Sequence, residues 1–248
     1  MRDEVSNPLP QLQNSAEDPS LLPRTTAEVL GWTSLVAVAD HVGASLQQAE
    51  ADRALEQAVH GLDTLSEVAL QTLLGEQLAQ HFEVSREVHY PSTSGAKRSH
   101  RQRCDLVLAP KGAKLDVQTD AQLALPLGSA ESAPRLCGLT EAFWLEVKVA
   151  YQFRAGGQHH KGYSTQFRKT VVADLRKLAA EPLIHHAAML LIVFNESATV
   201  ANQHLDLFES LLIDKESLAG FRQVRSVAIQ DRIGHRLCSA ALWPIIKR

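Results

Sequence analysis

Glu146 and Lys148 stand two residues apart in Phe143-Trp144-Leu145-Glu146-Val147-Lys148-Val149-Ala150, a stretch otherwise apolar, branched and aromatic. That composition predicts a buried strand. Side chains alternate along a strand, so Phe143, Leu145, Val147 and Val149 share one face, and Glu146 and Lys148 share the other. A carboxylate and an ammonium are costly to bury unless they are paired, hydrated or bound to a metal. Taken alone, the pair reads as a cross-strand ion pair on a solvent face. A third charged residue changes the weighing. Asp105 interrupts the short apolar run Arg103-Cys104-Asp105-Leu106-Val107-Leu108-Ala109, closed by Pro110. Two carboxylates on adjacent strand ends suffice as protein ligands for magnesium, which prefers oxygen and keeps several waters.

Helices and further strands must position these residues. Leu62 to Phe82 predicts an amphipathic helix, because Leu70, Leu74, Leu78 and Phe82 recur every four residues. Glu67 falls near that inward stripe at the helix start, and Glu76 faces outward. Strands are expected over Glu83 to Tyr90 and Arg103 to Ala109, with a polar, basic loop from Ser92 to Gln102 between them. Lys111 to Leu139 has no firm period and is expected to be a long loop or insertion. Beyond the Glu-Val-Lys strand come a polar loop from Gln152 to Gly162 and a helix from Ser164 to Ala180. That helix carries Phe167, Val171, Leu175 and Leu178 on one face, and Pro182 follows its end. Ala187 to Phe194 reads as a buried strand, Val200 to Leu212 as a helix, and Val224 to Ile229 with Leu237 to Leu242 as a terminal strand pair.

Residues 1–24, rich in Pro, Ser, Asn, Asp and Glu, read as a disordered or partner-dependent arm. Residues 25–60 read as a helical extension interrupted near Gly31 or Gly43, and 61–248 as the main domain. The 248-residue chain has 25 Lys and Arg against 28 Asp and Glu, a formal net charge of -3. A strongly basic nucleic-acid binder is excluded, so any such contact must use local patches. Three separated cysteines with no C-x-x-C pair argue against a disulfide framework and suit a reducing cytoplasm. The apolar run Ala187 to Phe194 is too short to cross a bilayer, and Met1 to Pro10 shows no signal peptide; a cytoplasmic location is expected.

The expected order is helix, strand, strand, strand, helix, strand, with Asp105 on the second strand and Glu146 and Lys148 on the third. Over about residues 62 to 194 this resembles the PD-(D/E)XK nuclease superfamily. The resemblance implies an α/β, restriction-endonuclease-like fold, a mixed central sheet flanked by helices, and Mg2+- or Mn2+-dependent hydrolysis of phosphodiester bonds. It places Asp105, Glu146 and the Val147 carbonyl on the metal. Lys148 would orient or deprotonate the attacking water, its pKa depressed by burial and by the metal. Glu67 matches a helical acid found in many members. The chain departs from the pattern at Cys104, where the name-giving proline often stands, and in the long gap from Asp105 to Glu146. Tyr163 precedes Gln166, which sets the chain apart from the RecB-like exonuclease branch.

The charge map adds two basic segments. Lys97, Arg98, Arg101 and Arg103 lie in one, and Arg154, Lys161, Arg168 and Lys169 in the other. Flanking the site, they could hold a phosphate backbone. Gln166 is a candidate on the polar face of the second helix. Asp174 and Lys177, three residues apart, read as a surface pair. His159-His160 and His185-His186 read as loop or helix-end pairs rather than zinc ligands. The expected substrate is nucleic acid, DNA ahead of RNA, and the expected setting is a homo-oligomer or protein complex, by analogy an effector in bacterial antiviral defence. Two rivals stand beside it: an inactive nuclease-like domain with a structural or nucleic-acid-binding role, and an unrelated α/β protein with a surface ion pair.

Overall fold

The computed structural model describes residues 32–93, 102–116, 135–216 and 218–246, so the arm at 1–24 lies outside it. Ser34 starts α1 (Leu35–Leu55), its hydroxyl accepting from the Ala37 N–H at 3.1 Å as an N-cap. The helix passes through Gly43 without interruption, and the alternative break near Gly31 lies outside the described residues. A Cβ at Gly43 would come within 2.8 Å of Arg225 Cβ, so the glycine serves a close approach rather than a break.

Ser66 caps α2 (Glu67–Leu78), accepting from the Ala69 N–H at 3.2 Å. The helix expected over 62–82 is therefore shorter at both ends. Leu62–Thr64 forms one 3-10 turn, Leu65 is extended, and Phe82 opens a strand. The four-residue stripe is still real, because Leu70, Leu74, Leu78 and Phe82 all enter one core.

The remaining elements in chain order are β1 (Phe82–His89), β2 (Arg103–Pro110), β3 (Ala113–Asp116), β4 (Arg135–Gly138), β5 (Phe143–Tyr151), α3 (Tyr163–Thr165), α4 (Val172–Ala180), β6 (His186–Asn195), α5 (Ala198–Ser210), β7 (Gln223–Ala228) and β8 (Leu237–Pro244). A π-helical turn, Gln166–Val171, joins α3 to α4, and another, Leu211–Glu216, follows α5. Six strands make one sheet in the order β1-β2-β5-β6-β8-β7. Only β5 and β6 run parallel, which requires the crossover through α3 and α4; every other neighbouring pair is antiparallel. The terminal strand pair forms as expected, with β8 inserted between β6 and β7. The stretch expected as loop at 111–139 contains β3 and β4, a small parallel ribbon.

Alternation along β5 separates the layers. Phe143, Leu145, Val147 and Val149 face the core under α1 and α2. Trp144 joins the layer beneath β3, β4 and Leu178, while Ala150 joins the layer with α4 and α5. Glu146 and Lys148 lie between those two layers on the same face. The fold is thus α/β, a mixed sheet with helices on both faces, and α1 contributes Leu35, Val38, Val42 and Leu46 to its core. Among the described residues no helix is long and apolar enough to cross a membrane.

Gly43→Val tests the approach of α1 to β7. Overpacking of this kind costs about 1–3 kcal/mol, so the urea midpoint should fall with its slope unchanged. An unaltered midpoint would mean that α1 does not need glycine there.

Candidate functional site

Strands β2 and β5 pair at only three positions, Leu106↔Leu145, Val107↔Trp144 and Leu108↔Phe143. Beyond Leu145, β5 continues beside β6 to Tyr151, but its ladder with β2 has ended. Buried backbone N–H groups need acceptors, and here carboxylates supply them. Asp105 Oδ2 accepts from the Val147 N–H at 2.7 Å, and Glu67 Oε2 from the Val149 N–H at 3.3 Å. Two acids from different elements thus fill places that a paired strand would have filled.

The ammonium of Lys148 completes the arrangement. Its Nζ lies 3.2 Å from Glu67 Oε1, 3.4 Å from Glu146 Oε1, 3.5 Å from Asp174 Oδ2 and 4.0 Å from Asp105 Oδ2. It also donates to the Val147 carbonyl at 3.3 Å. All three strand residues singled out in the sequence, together with Glu67 and the Val147 carbonyl, therefore meet at one point. Asp105 and Glu146 contact the same nitrogen, which bounds their separation to the sum of those two distances. Glu146 is buried, and its Oε2 has no hydrogen-bond partner.

Asp174 corrects the surface-pair expectation. It does bind Lys177, but it is buried and its second oxygen faces Lys148. The spacing carried the signal: Asp174 belongs to the inward stripe of Val171, Leu175 and Leu178 at helical intervals. Lys97, Arg98 and Arg101 lie outside the described residues, as do the side chains of Gln166 and Arg168, whose backbone belongs to the π turn. Lys169, Arg154 and Lys161 are exposed, and Arg103 pairs with Glu87 at 3.8 Å.

Four carboxylates and two ammoniums leave the cluster two negative charges in surplus when all are ionised. The titration follows from that surplus. Burial, with repulsion from Asp105 and Asp174, lifts Glu146 to about 8 against the opposing pull of Lys148. Burial likewise lifts Asp105 to about 6, although the Val147 N–H and Lys148 favour its charged form. The metal-free cluster thus retains a proton at neutral pH. Lys148 departs from expectation. Burial pulls its pKa down, but Glu146, Glu67, Asp105 and Asp174 outweigh burial and hold it above the ordinary lysine range.

The donor set fits a hard divalent cation. It consists of carboxylate oxygens and one carbonyl, carries the matching charge surplus, and includes a buried carboxylate oxygen without a partner. Among the described residues no group of three or more His, Cys, Asp or Glu side chains is placed to hold a metal ion by itself; the Lys148 ammonium stands among the four carboxylates, within 4.0 Å of each. The paired histidines add none: the His159 ring packs on Phe153 at 4.7 Å, and His185 meets His186 edge-on at 6.5 Å. No protein-family model matches the chain, and no curated protein or solved structure matches it either.

An acid whose folded pKa is raised binds more protons folded than unfolded, so stability falls as pH rises between the two values. For Asp105 and Glu146 that window runs from the ordinary carboxylate range up to about 8. The protein in EDTA should lose roughly 1–3 kcal/mol of stability between about pH 5 and pH 8. Glu146→Gln should remove most of that slope in denaturant titrations. A parent stability that rises across the window would contradict this electrostatic account.

Proposed function

We propose that the chain is a metal-dependent nuclease that hydrolyses phosphodiester bonds, in DNA ahead of RNA. One observation carries the reading: Glu67, Asp105, Glu146 and Asp174 converge on Lys148 where β2 and β5 part, with an unpartnered carboxylate oxygen left inside. A structural ion pair needs one acid, and a surplus of buried acids destabilises a scaffold. The element order α2-β1-β2-β5-α4-β6, with β3 and β4 inserted before β5, is also the order on which the resemblance to PD-(D/E)XK nucleases rests. On this reading the fold is restriction-endonuclease-like.

Asp105, Glu146 and the Val147 carbonyl would hold the cation, Mg2+ or Mn2+. When bound, such an ion offsets charge on the phosphate and acidifies water. In the hydrolysis, water oxygen bonds to phosphorus, the bond from phosphorus to the leaving oxygen breaks, and the proton lost by the attacking water passes to solvent, which in turn protonates the leaving oxygen. Lys148 enters as an ammonium, because the surrounding acids hold its proton. Its first role is therefore to donate hydrogen bonds to the attacking water or a phosphate oxygen, and it becomes a base only when those acids are neutralised. Glu67 and Asp174 also hold the ammonium, and Lys177 binds Asp174 in turn.

Conservative variants separate catalysis from folding. Asp105→Asn keeps an oxygen for the Val147 N–H, so it should preserve the fold and abolish cleavage in magnesium. Lys148→Ala should lower cleavage by at least ~100-fold, the scale of lost acid–base assistance. It also leaves four acids without their shared ammonium, so its melting temperature should drop in EDTA and recover with magnesium. The readouts are melting temperature and cleavage of plasmid, single-stranded DNA and RNA with magnesium or manganese. A parent protein that cleaves none of these, with variants indifferent to magnesium, would overturn the assignment.

A further inference from the structure

An open cavity of about 350 Å³ lies between the β1–β2 end and the last turns of α4, lined by Tyr90, Ser92, Gln102, Arg176, Lys177 and Glu181. It adjoins the acid cluster through one residue. Lys177 lines the cavity and also binds Asp174, whose other oxygen is 3.5 Å from Lys148 Nζ. Tyr90 also lines the cavity; it is buried, its ring edge-on to Trp144 at 6.2 Å. The far wall is held by Glu181, a buried acid that accepts from the Ser92 N–H at 3.3 Å, the Leu183 N–H at 3.4 Å and the Ser92 hydroxyl.

The groups that line this space suit one nucleotide. Its volume lies at the small-ligand end of protein sites. Arg176 and Lys177 are exposed cations, and guanidinium and ammonium groups are the usual partners of phosphate. Gln102, also exposed, can donate and accept toward a sugar or base edge. A nucleotide stacked within a duplex would have to unstack to enter, at a cost of a few kcal/mol that an unpaired one avoids. We propose, on the nuclease reading above, that this cavity receives the nucleotide adjoining the scissile phosphate, and that the preferred substrate is an unpaired strand. Arg176 and Lys177 hold its phosphate, and Gln102 holds its sugar or base.

The test is equilibrium binding of a fluorescent single-stranded DNA 12-mer, and of the same strand in duplex, to the full chain in EDTA. The parent should bind the single strand about tenfold tighter than the duplex. Arg176→Ala and Gln102→Ala should each weaken single-strand binding about three- to tenfold and leave duplex binding unchanged. Arg176→Ala alone should lower the salt slope by about 0.7, the value for one lost phosphate contact on a single strand. Arg176→Lys should restore part of the affinity. Unchanged single-strand affinity in both variants, or equal losses on duplex, overturns the proposal. Cleavage of the same 12-mer in magnesium separates the two readings. Weakened binding in the variants without cleavage by the parent supports the pocket and sinks the nuclease; cleavage with unaltered binding does the reverse.

Discussion

The hydrogen-bond ladder between β2 and β5 stops after Leu106 and Leu145, and the candidate site exists because it stops there. A continued ladder would give the Val147 and Val149 amides carbonyl partners. Its absence lets Asp105 and Glu67 take those amides instead. Each acid is thereby fixed by a backbone donor as well as by the Lys148 ammonium. The same gap admits Glu67 from the start of α2, which Ser66 caps. On the other side of β5 the parallel pairing with β6 holds the strand rigid through Glu146 and Lys148. The site is therefore mounted on backbone geometry, and its side chains have little freedom to separate.

That rigidity has an electrostatic consequence. Acids that cannot move apart must share a proton, a lysine or a cation. Lys148 meets part of the demand, and proton retention by the buried acids meets the rest when no cation is present. Lys177 extends the network outward through Asp174, linking the buried cluster to an open cationic cavity. Buried surplus charge is a poor way to stabilise a fold, and this cluster is better understood as prepared for a ligand that neutralises it.

Much of this was legible in the residues. The two-residue alternation of β5 assigns Glu146 and Lys148 to one face, and the single acid in an apolar run marks Asp105. Other features depend on contacts between distant segments. Asp174 resembles half of a surface pair because Lys177 sits three residues on; its spacing to Val171, Leu175 and Leu178 marks the inward stripe, but that it reaches Lys148 depends on how α4 packs against β5. Gly43 looks like a helix break, and the approach of Arg225, far along the chain, gives it a different purpose. The β3–β4 ribbon pairs short strands across a long interval, where no local period could reveal it. Likewise, the raised affinity of Lys148 for its proton follows from four acids drawn from four elements, and no single stretch contains that information.

Calorimetric titration of Mn2+ into the metal-free protein addresses the central claim most directly. The account predicts one saturable site in the parent, abolished in Glu146→Gln, whose altered group makes no hydrogen bond through its buried oxygen and so should leave the fold in place. Absence of saturable binding in the parent, or equal binding in the variant, would contradict it.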